Sequence, residues 1–532
     1  MDASSAAALD VPWLLAALEP AGPYGQIAFD DLRPFVRGEE DAARARARRV
    51  AELAASLDAG TLDAVRETLR GMPDAAPAIA RASMGDTLGD ANLLELQRFC
   101  DAAARTATLL AGADVPEATN DAVRETARAL EPGRSGKFGF YLADDFDARL
   151  AAARTATSRA QAEFDAASGR SRQRVAQALG REEISGGEFV VMRADLSGSL
   201  PPGVRVAREA ATYVMCELEL DEATLAAMRR RDEAAEAVAE AEEAARAALS
   251  GEIRARASAL ERAARALGEI DVLVAAARFA KRYGCSAADI ENDAMLSFTQ
   301  GRHLPLAAEL EREGRAFTPV DVALHDVAAL TGPNMGGKSV CLRTCGFIAL
   351  CAAFGLPVPA EGARVSLFDE IAWLGIGSDA SPDGELGGLL SSFAREVVRL
   401  RDVLERAPAR TLALVDEFAR TTTPREGKAL VVSLVAELQR RGAVGLVATH
   451  LGGVAAEAGV RHFAVRGLRD VPARRPRESM HETLAALADT MDYTVVEVGP
   501  GDEPPGDAIA LAALLGLDES LIARARESLK GA

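Results

Sequence analysis

Aromatic residues are scarce in this 532-residue chain, at 5% of the total. Together with long Ala-rich stretches, that scarcity implies a strongly helical protein. Cysteine is scarce too, and six residues in this length do not make a disulfide framework. Cys341, Cys345 and Cys351 fall along one apolar run and show no C-x-x-C pairing, so they read as a packed helix face rather than a metal site. No uncharged apolar run reaches ~18 residues, the length of a membrane span. The best candidate, after Arg343, is stopped by Pro357 and Pro359. The N-terminus carries Asp2 and Asp10 and no basic segment, unlike a secretory signal, and a cytoplasmic protein is expected. A positive excess is missing as well. Sixty-one Lys and Arg against 80 Asp and Glu leave a net charge of −19. That argues against broad, non-specific nucleic-acid affinity, while leaving room for a local basic face. The length exceeds one hydrophobic core, so roughly two to four domains are expected.

What is present is concentrated at Thr331–Thr344, TGPNMGGKSVCLRT. Gly332, Gly337, Lys338 and Ser339 satisfy G-x-x-x-x-G-K-[ST]. The apolar run Val327–Leu330 before them reads as a strand, and the run from Lys338 to Phe354 reads as a helix. Glycines there let backbone N–H groups converge on phosphate oxygens, and the helix start adds unpaired donors and the positive dipole end. Lys338 would neutralise β- and γ-phosphates, and Ser339 would offer a hydroxyl to Mg²⁺.

Before this loop the chain reads as helices: Asp41–Leu57, Thr61–Arg70 and Asn92–Leu110, with breaks at Pro34, Gly71–Pro73 and Gly85–Gly89. Glu131–Gly139 is a linker-like loop whose Arg134 and Lys137 fit a solvated turn or a phosphate grip. Asp144–Leu179 is a long charged helix. Phe189–Met192, Val204–Val206 and Tyr213–Leu218 read as a small hairpin or sheet, and a second long helix runs from Leu220 to about Leu267 with a soft point at Ser250–Gly251. Ile270–Phe279 is a further helix. From Ala294 to about Val465 strands alternate with helices, the pattern of a parallel sheet covered on both faces. A basic loop at Gly467–Glu478, a strand at Tyr493–Val498 and two short helices over Asp507–Leu529 complete the chain.

Downstream of the loop, Thr411–Glu417 (TLALVDE) is an apolar strand ending in two carboxylates. Such a strand can bring Asp416 to a Mg²⁺ shell and Glu417 to a water attacking the γ-phosphate. Val444–His450 (VGLVATH) is another strand, and His450 can sense the γ-phosphate, hold the water or simply bond to backbone. Arg420–Thr423 is hydroxyl-rich. Ser391 and Ser392 open an amphipathic helix, as a cap or as a helix start aimed at another subunit's nucleotide.

Taken together, TGPNMGGKS, DEFARTTTPREG, the ATH ending at His450 and GRH at Gly301–His303 resemble the MutS family of ATPases, relatives of the ABC class. The tail Ala508–Leu529 looks like that family's C-terminal helix–turn–helix dimerisation segment. The resemblance implies an α/β P-loop NTPase of ABC/MutS type as the C-terminal domain, preceded by a mostly α-helical lever and clamp region with a small β insert. It implies ATP and Mg²⁺ as cofactors, and a homodimer with two composite sites. Gly332, Pro333, Asn334, Met335, Gly336, Gly337, Lys338 and Ser339 would hold the ATP phosphates. Ser339 and Asp416 would serve Mg²⁺, Glu417 and His450 would be catalytic, and Ser391 and Ser392 would reach across from the partner. The expected division is 1–140 helical core or lever, 141–285 helical arm with a clamp-like insert at about 187–218, 286–500 ATPase domain, and 501–532 dimerisation segment.

Mismatch-sensing members begin with two further domains, one of which inserts a Phe into the duplex. Here the resemblance begins at the lever, so no mismatch reader is expected. The insert sets Arg193, Arg205 and Arg208 against Glu188, Asp195, Glu209 and Glu217, and residues 221–270 carry eight arginines against eleven acids. That is no positive excess for gripping phosphates. Leu389 and Leu390 stand where mismatch-repair members carry Gly–Arg. The wording DEFARTT resembles a short MutS-like branch encoded with adenosylcobalamin-dependent aminomutases, described as ATPase components of a lysine 5,6-aminomutase reactivase. The expected client is therefore an aminomutase-like protein, remodelled by ATP-driven opening and closing of the arms. The alternative is a mismatch-repair-type clamp on duplex or branched DNA.

Overall fold

The structure is a computed structural model and describes residues 1–136, 139–196, 198–333, 336–375, 392–406, 410–468, 491–502, 508–514 and 516–530. The chain divides into two compact units: Met1–Arg70 with Leu109–Pro116 and Leu267–Ala532, and Gly71–Thr108 with Glu117–Ala266.

The first unit is built on a six-stranded sheet. In chain order its strands are β1 (Val327–Thr331), β2 (Glu370–Gly375), β3 (Thr411–Asp416), β4 (Val444–Ala448), β5 (His462–Leu468) and β6 (Met491–Val498). Their spatial order is β2-β3-β4-β1-β5-β6, parallel throughout except for β6, which runs antiparallel to β5. β1 and β4 are buried at every position, as expected of parallel strands covered on both faces. On one face, Val403 of helix Ser392–Arg406 and Val431, Leu434 and Leu438 of helix Pro424–Arg440 pack on Ala413 and Val415. On the other lies helix Lys338–Ala353, almost wholly buried. A methyl added at its Gly346 would fall 2.4 Å from Leu9 Cδ2 and 2.9 Å from Leu414 Cδ1, so glycine there is what lets helix, N-terminal segment and β3 meet.

Two expectations need correction in this unit. The strands from Ala294 onward do not form one parallel sheet. Asp289–Glu291, Gly362–Ser366, Leu296–Gly301 and Val320–Leu324 make a separate four-stranded sheet in that order, and only its first pair is parallel. Buried apolar strands read alike in either arrangement, so the sequence pattern does not separate the two sheets. Second, residues 1–70 group with the C-terminal half, whereas the sequence assigned 1–140 to one helical domain. The reason is polar as well as apolar. Buried Asp271 accepts hydrogen bonds from the N–H groups of Ala21 (3.0 Å) and Gly22 (2.6 Å), which open helix Pro23–Asp30. Ser5 Oγ accepts from Trp373 N–H in β2 at 2.9 Å.

The second unit is helical, with Ala76–Met84, Asp121–Leu130 and Ala148–Ala178 as main elements. It also holds the small antiparallel sheet Glu188–Met192, Tyr213–Leu218, Val204–Glu209, paired in that order. The expected soft point at Ser250–Gly251 and the separate helix at Ile270–Phe279 are not seen. One helix of 62 residues runs from Glu222 to Tyr283. Ser250 Oγ donates to Arg246 O (2.7 Å) and accepts from Leu88 N–H (2.8 Å), so its hydroxyl is satisfied without breaking the helix. An exposed Gly costs only about 1 kcal/mol, which buried Leu249, Ile253 and Leu260 on the same helix outweigh.

Helices Ala508–Leu514 and Glu519–Lys530 form the tail, leaving Leu517, Leu521 and Leu529 exposed. The expected basic loop lies largely outside the described residues. Among the described residues, no helix is long and apolar enough to cross a membrane.

Candidate active site at the C-terminal edge of the parallel sheet

In an open parallel sheet, ligands bind beyond the C-terminal ends of the strands. Here β1, β3 and β4 deliver the predicted residues to that edge, with β4 between the other two. β1 ends in Thr331 and opens directly into Gly332, whose φ is +152° and where an added methyl would lie 2.9 Å from Val465 Cβ. The turn closes through Gly336 N–H to Pro333 O at 3.0 Å, and Gly337, at φ +89°, caps helix Lys338–Ala353. Both glycines occupy backbone that a side chain would strain or block. Asn334 and Met335 lie outside the described residues.

The buried Lys338 ammonium points back into this turn. Its Nζ donates to the carbonyls of Gly332 (2.9 Å) and Pro333 (3.1 Å) and lies 3.3 Å from Glu417 Oε1. The Glu417 carboxylate therefore sits between Lys338 and Arg420, whose Nη1 is 3.7 Å from Oε2. Glu417 itself has φ +54° and Ala419 φ +61°, left-handed backbone at non-glycine residues. Each such residue costs about 1–3 kcal/mol and persists only where its surroundings hold it. Glu417 N–H donates to Ala448 O at the end of β4 (3.0 Å), which ties the turn to the strand carrying His450. His450 is exposed two residues beyond β4.

Asp416, the last residue of β3, has its carboxyl pushed above the usual range, chiefly by burial, with the neighbouring Glu417 adding to the effect. The Ser339 hydroxyl, hydrogen-bonded to it, and the charges of Lys338 and Arg343 oppose that rise. Its Oδ1 is buried without a hydrogen-bond partner among the described residues. An orphaned carboxylate oxygen beside a serine hydroxyl is a donor pair for a hard cation. Mg²⁺ takes one or two protein oxygens and completes its shell with water and phosphate. Among the described residues, no group of three or more His, Cys, Asp or Glu is placed to hold a metal. Ser339 and Asp416 thus fit the expected ion.

Ser391 lies outside the described residues, and only the backbone of Ser392, the first residue of its helix, is described. Other polar groups near the site carried no sequence motif. Thr331 Oγ1 lies 2.7 Å from His462 Nε2, and His462 Nδ1 lies 3.1 Å from Gly499 O. A carbonyl only accepts, so Nδ1 carries the proton and, in the neutral ring, Nε2 accepts from Thr331. Arg343 stands over the Trp373 ring, 5.8 Å from its centroid. Glu396 Oε2 accepts from Ala419 N–H at 3.0 Å. These pairs join residues far apart in the chain, which no local spacing reveals.

A strand, a glycine turn gripping a lysine, and two carboxylates at the end of a parallel strand one place removed define a P-loop nucleotide-binding domain. Within that class, residues 328–531 match the family model of MutS domain V. The chain is also similar to Endonuclease MutS2 of Agathobacter rectalis, 30% identical over 283 residues, covering 52% of this chain and 32% of that protein. Endonuclease MutS2 of Pelotomaculum thermopropionicum is 30% identical over 286 residues, 53% of this chain and 33% of that protein. A Clostridium botulinum Endonuclease MutS2 is 30% identical over 285 residues, with the same coverage of 53% and 33%. The chain spans about a third of the length of these curated relatives. Residues 328–531 are thus similar to the ATPase domain of MutS-type proteins.

Proposed function

We propose that the chain is a Mg²⁺-dependent, ATP-binding and ATP-hydrolysing switch whose nucleotide state moves its helical arms. The observation that carries this reading is the convergence of Lys338, Glu417 and the unpartnered Asp416 oxygen at one edge of the sheet. The amides of Gly332–Gly337 and the Lys338 ammonium bind and orient the phosphates. Ser339 and Asp416 hold Mg²⁺, which when bound neutralises charge on the β- and γ-phosphate oxygens. Glu417 takes the proton of the attacking water, and exposed His450 orients that water or the γ-phosphate. Two copies of the chain complete each site, with Ser391 and Ser392 reaching the partner's nucleotide. Exposed Leu517, Leu521 and Leu529 on the tail support self-association through that segment.

The arms act on duplex or branched DNA. The relatives' name, Endonuclease, supports a nucleic-acid client over the aminomutase-like protein expected from DEFARTT, which no comparison favours. One observation still favours a protein client. On the small sheet, Val190, Met192 and Val206 are exposed, while Arg193 and Arg205 are already paired with Glu209 and Glu217. Apolar side chains flanked by neutralised arginines suit a protein surface better than phosphates. Duplex binding titrated against salt, with and without ATP, separates the two. Sub-micromolar binding that weakens steeply with salt supports DNA, and its absence returns the preference to protein.

A further inference from the structure

Left-handed backbone at Glu417 and Ala419 aims the carboxylate that the proposed function uses as base. Two hydrogen bonds hold this turn at either end. Below, Glu417 N–H donates to Ala448 O at 3.0 Å. Above, Ala419 N–H donates to Glu396 Oε2 at 3.0 Å. Ala419 is only 2% exposed, so without the Glu396 carboxylate its N–H would be a buried donor with nothing to meet. Between them Phe418 is buried in the cluster against which Phe393, three residues before Glu396, also packs.

Glu396 belongs to helix Ser392–Arg406, whose first residue is one of the pair given a role at the partner's nucleotide. We infer that Glu396 is a positioning residue for Glu417: it links the start of this helix to the turn that aims the base. The inference rests on the ATPase reading above and deepens it. A displacement of the helix start moves the acceptor of Ala419 N–H, and the left-handed turn has little freedom to absorb that movement without re-aiming Glu417. The same contact therefore gives a second copy of the chain a route to the base it does not itself touch.

The test uses the full chain with Mg²⁺, comparing steady-state ATP hydrolysis with binding of a fluorescent ATP analogue. Glu396→Ala is expected to lower kcat about 10- to 100-fold while analogue affinity stays within about twofold, as misplacement of a reacting group by ~1 Å does. Glu396→Gln, whose amide oxygen can accept the same bond, keeps kcat within about threefold of the wild type. Hydrogen exchange at Ala419 quickens in Glu396→Ala and not in Glu396→Gln. A wild-type rate in Glu396→Ala overturns the inference. So does a Glu396→Gln variant as slow as Glu396→Ala, or an affinity loss as large as the loss in kcat. If Glu396→Ala does not fold, Glu396→Asp decides, because its shorter side chain falls short of Ala419: slow turnover at unchanged affinity supports the link, and wild-type turnover removes it. A wild-type chain that hydrolyses no ATP takes away the underlying reading, and this inference with it. An active wild type with indifferent Glu396 variants removes this inference alone.

Discussion

Nζ of Lys338 lies 3.3 Å from Oε1 of Glu417, although the two residues follow β1 and β3, with β4 between those strands. Parallel strands make that possible, since each delivers its C-terminal end to the same edge. One ammonium thus serves both the phosphate turn, through the carbonyls of Gly332 and Pro333, and the proposed base.

The two residues should nonetheless separate on mutation. Lys338→Ala removes the charged side chain of TGPNMGGKS and is expected to abolish measurable nucleotide binding. Glu417→Gln preserves the shape and one acceptor oxygen for Lys338. It is expected to bind ATP about as well as the wild type while turnover falls roughly 10²- to 10⁴-fold, the usual share of a general base. Equilibrium binding with a fluorescent analogue and a single-turnover assay check both. Undiminished hydrolysis by Glu417→Gln would remove Glu417 from the chemistry.

Burial raises the Asp416 carboxyl above its ordinary value. A raised carboxyl takes up a proton more readily in the folded chain than in the unfolded one. Its contribution to stability is therefore fully present in acid, below the unfolded pKa, and is lost as pH rises through the folded value. Once ionised, the group is a liability that a bound Mg²⁺ would offset. Asp416→Asn is expected to raise the Tm of the metal-free chain at pH 7, with the gain shrinking as pH falls into the carboxylate range. Mg²⁺ with ATP should then raise the Tm of the wild type more than that of the variant. Equal shifts in both proteins would show that Asp416 does not hold the ion.

The glycine turn was readable in the sequence because it is contiguous: Gly332, Gly337, Lys338 and Ser339 fall in one short stretch. Asp416 and Glu417 were readable because an apolar strand ending in two carboxylates is unusual unless an edge needs them. The left-handed backbone at Glu417 and Ala419 was not, since neither is the Gly or Asn that normally marks such conformations. Glu396 and His462 were missed for another reason. Their meaning lies in Ala419 and Thr331, which only the fold brings near. The four-stranded sheet was merged with the larger one because buried strands read alike in either.

Asp271 offers a test of why residues 1–70 join the C-terminal half. Its carboxylate is the acceptor for two N–H groups, those of Ala21 and Gly22. Asp271→Ala orphans both, at about 1–3 kcal/mol for the buried Gly22 donor and less for the half-buried Ala21. A total loss of about 2–5 kcal/mol in urea denaturation is expected, on the same principle. Asp271→Asn keeps one oxygen and should lose less. A loss below about 1 kcal/mol for Asp271→Ala would mean that these amides find water instead.

The long helix Glu222–Tyr283 makes the last prediction, because the sequence and the structure disagree at Ser250–Gly251. If the helix is continuous, Gly251 pays the entropic penalty of glycine in a helix and receives no packing in return. A methyl built there meets nothing within 4 Å among the described residues. Gly251→Ala is then expected to stabilise the chain by about 0.5–1 kcal/mol. Chemical denaturation measures the gain, and ATP turnover should stay unchanged. A working hinge would behave in the opposite way, because alanine would stiffen a bend that the cycle uses. Slower turnover with little added stability in Gly251→Ala would therefore restore the soft point that the sequence suggested.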